Sequence, residues 1–244
     1  MDCLFEKEVM ILPGVTDASA KLSYHGTFSM FMDVASEHAE RLGIGTQLIR
    51  RGLFWLTVKT QIRFFKRPGL GELVTLSTWP ETPERMRCCR SYQLRQEDSV
   101  LVSGKTEWAV VNTETGRLTP LEGVFPAELD FSRPSACPEP FARIGEKEFE
   151  EANAFEHVVR STDVDLGGHM NNAAYVRAIM DTFSVEEQAR LRVRSVDVLF
   201  RSPCFEGNRL LTSKRAVENG MELKVSNGDK TAVLARMELD SAGA

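Results

Sequence analysis

The feature that most constrains this chain is an internal repeat. "IRFFKRPGLGELVTL", from Ile62, and "VLFRSPCFEGNRLLT", from Val198, share one order: an apolar run, Phe, a basic residue, Pro, Gly and an apolar-alternating strand. Phe65 matches Phe200, Lys66 matches Arg201 and Pro68 matches Pro203; Gly71 matches Gly207 if the second copy carries one extra residue. A repeated supersecondary unit predicts two like halves. The 244 residues are enough for two domains of ordinary size.

Each half runs from a helix into strands. Between Thr27 and Leu42, Phe28, Phe31, Ala35, Ala39 and Leu42 fall at helical spacing on one face, with Asp33, Glu37, Glu40 and Arg41 elsewhere. In "LFWLTVKTQIRFF", Phe54, Leu56, Val58, Ile62 and Phe64 alternate with Trp55, Thr57, Lys59, Gln61 and Arg63, and Thr60 is the one polar break. Further strand-like runs follow, with a turn at Thr113–Gly116. The second half repeats the order. "NNAAYVRAIMDTF" reads as a short helix, Ser184 and Glu187 as a capping box, and four strands follow, with hairpin turns at Glu218–Gly220 and Asn227–Asp229. Five of the ten prolines fall between Pro120 and Pro140, which marks a linker or wrapping segment. The expected fold is α+β, a tandem (double) hot-dog in which each half is a central helix wrapped by a curved antiparallel sheet. The expected boundaries are 1–130 for the first repeat, 131–147 for the linker and 148–244 for the second repeat. Pairing the two sheets edge to edge would cover exposed strand edges.

Composition narrows the function. A hydrophobic content of 42% supports a real core. A net charge of −5 with interspersed signs gives no electrostatic footprint for nucleic acid, and no DNA-binding helix pair or basic arm is visible. No apolar run reaches the length of a membrane span, and the N-terminus does not read as a signal peptide. The five cysteines form no CxxC pair and no zinc-like spacing with the four histidines, which predicts a reduced, cytoplasmic protein without a metal site.

Chemistry concentrates in "TDVDLGGHMNNAAYVRAIMD", Thr162 to Asp181. A carboxylate, two glycines, a histidine and two asparagines lead into an alanine-rich helix starting near Asn171. Helix N-termini carry unpaired N–H groups and partial positive charge, and so stabilise an oxyanion. The glycines let the loop backbone approach a ligand. Asp165 can act as base or nucleophile, His169 can donate, accept or shuttle a proton, and Asn171 or Asn172 can cap the helix or contact the ligand. His25 is the first-repeat counterpart of His169 if the helices are aligned. Thr27 and Phe28 stand in place of an Asn pair, and "YHGTFSMF" has no equivalent aspartate, so the first repeat reads as catalytically silent. Phe28, Met30, Phe31 and Met32 read as core or acyl-pocket residues.

"DLGGHMNNAAYV" is similar to the Asp…His-x-Asn-Asn…Tyr signature of acyl-acyl-carrier-protein (acyl-ACP) thioesterases. "LFRSPC" resembles the cysteine-bearing segment of that family's second repeat, and "FWLTVKTQIRFFKRPGLGELVTLSTWPE" its first-repeat strand pair. The likeness runs from about Leu12 to Glu238. It implies hydrolysis of fatty acyl-ACP to free fatty acid, with no metal or organic cofactor. It puts Asp165 and His169 at the family's catalytic carboxylate and histidine, and Cys204 at a cysteine of a papain-like scheme. Asn171 then joins the catalytic set, with Gly168, Met170, Asn172 and Tyr175 in contact with substrate. Two positions depart from the pattern: Gly167 stands where an Asn is common, and Pro203 where plant members have a Glu. Glu206 is a nearby carboxylate, out of register.

The implied partner is acyl carrier protein. It is acidic, so Arg50–Arg51, Lys66–Arg67, Arg85/Arg87/Arg90 and Arg190/Arg192/Arg194 are candidate docking clusters. A homodimer stays open, because the tandem repeat can already serve as the dimer that single hot-dog chains form. The rival readings are an acyl-CoA thioesterase, a hot-dog dehydratase and a non-catalytic acyl-thioester binding protein.

Overall fold

The computed structural model describes residues 1–146, 149 and 154–240. In chain order the elements are β1 (Phe5–Met10), α1 (Tyr24–Arg41), α2 (Thr46–Arg50), β2 (Leu53–Phe64), β3 (Leu73–Pro80), β4 (Cys88–Gln96), β5 (Ser99–Asn112) and β6 (Leu118–Thr119). The second half holds β7 (Phe155–Val158), α3 (Asn172–Met180), α4 (Val185–Arg190), β8 (Val193–Phe200), β9 (Arg209–Val217), β10 (Gly220–Asn227) and β11 (Lys230–Leu239). The far boundary expected for the linker, 147/148, lies outside the described residues.

The strands form one antiparallel sheet in the order β1-β3-β4-β5-β2-β8-β11-β10-β9-β7, with β6 on β5. Halves meet at β2 and β8, where Gln61 lies opposite Asp197 at the centre of the paired stretch. Each half wraps its helix: Phe31 of α1 stacks on Tyr92 of β4 at 4.7 Å, and α1 packs against α3. This is the double hot-dog arrangement of the α+β class. The hairpin turns at Glu218–Gly220 and Asn227–Asp229 connect β9 to β10 and β10 to β11. Ser184 and Glu187 make a reciprocal capping box at α4.

Local chemistry moves three details. Helix α1 starts at Tyr24, three residues before Thr27, because the Ser23 hydroxyl accepts from the Gly26 N–H at 3.0 Å and caps the helix there. The alternation in β2 shifts at a bulge between Thr57 and Lys59. Thr57, Thr60, Ile62 and Phe64 are therefore buried while Leu56 is exposed. The repeat register also moves by one residue. The N–H groups of Phe65 and Lys66 both donate to the Leu101 carbonyl, as those of Arg201 and Ser202 do to Ala232. Phe64 therefore corresponds to Phe200, not Phe65. Side-chain identities favour one alignment, but ladder hydrogen bonds set the register.

The proline-rich segment straps the junction of the halves. Trp79 Nε1 donates to the Pro134 carbonyl at 3.1 Å, Gln61 Nε2 to that of Pro140 at 3.2 Å, and the Ala142 N–H to Asp197 Oδ1 at 2.9 Å. Burial raises the Asp197 carboxyl pKa, and the hydrogen bonds from Ala142 and Gln61 offset part of that.

Candidate active site

The loop before α3 is a short folded unit. The Asp165 N–H donates to the His169 carbonyl at 2.9 Å, the Gly168 N–H to the Asp165 carbonyl at 3.0 Å, and the Gly167 N–H to Asp165 Oδ1 at 2.8 Å. Gly168 sits at φ +76°, a left-handed conformation that suits glycine. The Asn171 side chain accepts from the Ala174 N–H at 2.7 Å and caps α3. The N–H groups of Asn172 and Ala173, first in the helix, have no intrahelical acceptor.

The loop before α1 repeats this unit bond for bond. The Asp17 N–H donates to the Lys21 carbonyl at 2.9 Å, the Ala20 N–H to Asp17's carbonyl at 3.0 Å, and the Ser19 N–H to Asp17 Oδ1 at 2.9 Å. Ala20, at φ +55°, holds the Gly168 position. Ser23 caps α1 as Asn171 caps α3, and the Ser23 N–H binds the Val15 carbonyl as the Asn171 N–H binds that of Asp163. The Leu22 N–H binds Pro68, and the Met170 N–H binds Cys204.

This corrects two expectations. The first-repeat counterpart of His169 is Lys21, not His25, because the loops align through their turns rather than through a shared histidine. The first repeat also has an equivalent aspartate, Asp17. It is paired with Arg67, which further donates to the Leu22 carbonyl at 3.2 Å. Asp165 has no ion-pair partner among the described residues.

Asp165, His169, Met170, Asn171, Asn172 and Tyr175 share the wall of a cavity of about 750 Å³. Across it stand Ser29, Met32 and Ser36 of α1, Trp55 and Thr57 of β2, and Trp108 of β5. Asn172 Nδ2 donates to Thr57 Oγ1 at 2.7 Å, tying the helix entrance to the other half. Asp165 and His169 share no side-chain hydrogen bond among the described residues. They flank Gly167 instead: a β-carbon there would lie 3.1 Å from Asp165 Oδ1, 3.3 Å from His169 Nδ1 and 3.3 Å from Phe54 Cζ. The His169 ring rests against Phe205 with centroids 5.1 Å apart. Gly168 turns outward and is exposed.

Cys204 is fully buried (0% exposed) beneath this wall, next to Tyr175 and Asn227. Burial raises its thiol pKa, and contacts from the Tyr175 and Asn227 side chains counteract only part of that. Burial likewise raises the Tyr175 phenol.

Sequence reasoning missed the brace behind the loop. The Asp163 carboxylate, 2% exposed, accepts from the Arg160 N–H at 2.9 Å, pairs with His157 Nε2 at 3.0 Å, and forms an ion pair with Arg177 of α3. Burial alone would raise its pKa. The hydrogen bonds from Arg160 and His157 and the charge of Arg177 outweigh burial and hold it below the usual range. Its counterpart in the first repeat is Val15, so only the second loop is braced this way. The Asp-x-Asp spacing of Asp163 and Asp165 was the available signal. Two candidate docking clusters also change: Arg67 is engaged by Asp17, and Arg90 is buried.

Among the described residues, no helix is long and apolar enough to cross a membrane, and no group of three or more His, Cys, Asp or Glu side chains could hold a metal ion.

Comparison with known proteins identifies the family and the fold. Residues 2–128 match the acyl-ACP thioesterase N-terminal domain, and residues 146–238 match the acyl-ACP thioesterase C-terminal domain. Oleoyl-acyl carrier protein thioesterase of Coriandrum sativum is 20% identical over 226 residues, covering 84% of this chain and 61% of that protein. Oleoyl-acyl carrier protein thioesterase 2 of Arabidopsis thaliana is 24% identical over 227 residues, with the same coverage. The chain thus spans about three fifths of the length of these curated relatives. The crystal structure of an acyl-ACP thioesterase from Bacteroides thetaiotaomicron superposes with a TM-score of 0.83 at 19% identity, covering 97% of this chain and 98% of that one. The 12:0-ACP thioesterase from Umbellularia californica gives 0.81 at 17% identity, covering 97% of each. The two domain matches together take in most of the sequence, and the chain belongs to the acyl-ACP thioesterase family.

Proposed function

We propose that the protein hydrolyses the thioester of fatty acyl-ACP and releases free fatty acid. The observation that carries this reading is a carboxylate, Asp165, without an ion-pair partner among the described residues, on the wall of a largely apolar cavity beside the N–H groups of a helix start. Substrate and activity follow from family membership together with that arrangement.

The thioester carbonyl would point at the Asn172 and Ala173 N–H groups. Asp165 would take a proton from water as the water oxygen attacks the carbonyl carbon, or would attack that carbon itself, expelling the thiolate and leaving a mixed anhydride that water then hydrolyses to free acid and the Asp165 carboxylate. In the water route negative charge gathers on the carbonyl oxygen, where each preorganised donor contributes about 3 kcal/mol. The tetrahedral species collapses by breaking the C–S bond, and the pantetheine thiolate recovers the proton. A thiolate leaves readily, which reduces the need for a strong general acid. His169, across the Gly167 gap from Asp165, would orient the water or contact the carbonyl. Gly168, Met170, Asn172 and Tyr175 would shape the substrate's approach. Cys204 is proposed as a packing residue at this site: a nucleophile needs an accessible thiolate, and burial disfavours one. The cytoplasm fits the unpatterned free cysteines.

A matched series of acyl-ACP and acyl-CoA substrates tests the reading. Turnover of acyl-ACP at higher kcat/KM is the expected outcome. Preference for acyl-CoA would transfer the assignment to the carrier's rival, and tight binding without turnover of either would make the protein an acyl-thioester binder.

A further inference from the structure

Beyond the catalytic loop, a chamber of about 80 Å³ against α1 shares Ser36, Ala39, Trp55 and Trp108 with the groove as common walls. Its walls include Ala35, Ala39, Cys88 and Phe125, all apolar or weakly polar. Arg90 of β4 also lines it and is only 6% exposed. Its Nη1 donates to His38 Nδ1 at 3.0 Å and to Thr78 Oγ1 at 3.3 Å. Among the described residues Nε and Nη2 have no hydrogen-bond acceptor, and no carboxylate pairs with the guanidinium. His38 cannot supply the missing charge. Burial, reinforced by Arg90 itself, lowers its pKa to about 3, so it is neutral and accepts at Nδ1. Phe5 seals its other side, with ring centroids 5.5 Å apart.

A buried guanidinium without a counter-ion is costly, and a half-used Arg fork matches the geometry of a carboxylate. We propose that the chamber binds the carboxylate of an alkyl-chain acid that enters the groove head first and pairs with Arg90. Two sources carry that chemistry: a free fatty acid, which is the product of the proposed reaction, and the far end of an ω-carboxyacyl thioester. The inference rests on the proposed function only in taking the groove to hold an alkyl chain.

The test is equilibrium binding by calorimetry, which needs no turnover. Decanoate should bind wild type at least about tenfold more tightly than decanol, since charge-assisted bidentate pairs are the strong ones. Arg90→Met should bring the two ligands level, and Arg90→Lys should keep part of the difference. Equal binding to wild type, or a preference that survives Arg90→Met, would overturn the proposal. A second measurement needs no variant: in a carbon-13 NMR titration of carboxyl-labelled decanoate, the bound carboxyl should titrate below free decanoate. A raised value would mean an apolar site without Arg90 and would also overturn the proposal. Hydrolysis of ω-carboxydecanoyl against decanoyl pantetheine then separates the sources. Faster turnover of the first assigns the thioester's far end, and no gain assigns the free acid. Equal binding with turnover intact would remove this inference and leave the proposed function standing; selective binding without turnover would do the reverse.

Discussion

Asp17 and Asp165 hold equivalent positions in two copies of one loop, and they differ in what neutralises them. Asp17 is paired with Arg67, while the position corresponding to Arg67 in the second repeat is Pro203. Loss of the arginine leaves Asp165 free at the cavity wall. In the first copy, burial would raise the carboxyl pKa, but the hydrogen bond and charge of Arg67 hold Asp17 below the usual range. Asp17→Asn should therefore cost about 2 kcal/mol of stability, since hydrogen bonds to charged groups are worth more than neutral ones. Turnover should stay near wild type. Thermal denaturation beside a hydrolysis assay checks both, and a large loss of turnover with unchanged stability would contradict the division of labour.

Gly167 keeps open the gap between Asp165 and His169. Its φ is not in the left-handed region, so a side chain is opposed only by its neighbours. Gly167→Ala would press a methyl group against Asp165 Oδ1, His169 Nδ1 and Phe54. The expected result is a several-fold fall in kcat with unchanged melting behaviour. Unaltered kcat would mean that water and carbonyl do not use that gap.

Cys204→Ala should retain most of the wild-type kcat and lose about 1–2 kcal/mol of stability through the vacated volume. Iodoacetamide should modify Cys204 in the native protein far more slowly than it modifies a free thiol at the same pH, because burial raises the thiol pKa. Rapid alkylation coupled to loss of activity would restore the cysteine as a nucleophile.

His38 makes stability depend on pH. In the folded protein its pKa is about 3, against about 6.5 in an unfolded chain. The unfolded state therefore binds the extra proton first. Stability from this site is fully present above about pH 6.5 and falls by about 1.4 kcal/mol per pH unit on going down toward pH 3. Denaturant unfolding between pH 7 and 4 should show that slope in wild type and a flatter one in His38→Gln. Parallel slopes would contradict a neutral buried histidine.

Much of the fold was legible because it is written in local patterns: the helical spacing of Phe28, Phe31 and Ala35 and the turns at Asn219–Gly220 and Gly228–Asp229; the Phe-basic-x-Pro echo pointed to the repeat but set it one residue out of register. What escaped was fixed by contacts without a periodic signal. The bulge at Val58 shifts one strand's faces by a single residue. The equivalence of Asp17 with Asp165 rests on turn hydrogen bonds, which connect "TDASAKL" to "VDLGGHM" without sequence identity beyond the aspartate. The candidate site was legible as a polar loop ahead of a helix. Thr57, Trp55 and Trp108 were not, because only the fold brings them to that loop, and the bracing of Asp163 by His157 and Arg177 is likewise a tertiary contact. Arg90 looked like a surface charge in a basic run, and only the stacking of α1 over β4 shows it buried.

Asp165 is the residue proposed to drive thioester hydrolysis. The most direct measurement is single-turnover hydrolysis of acyl-ACP by wild type and Asp165→Asn, with substrate binding measured in parallel. Unchanged binding and a rate reduced by about 10²-fold or more are expected, the scale for removal of a general base. A rate within a few-fold of wild type, with binding intact, would contradict that role.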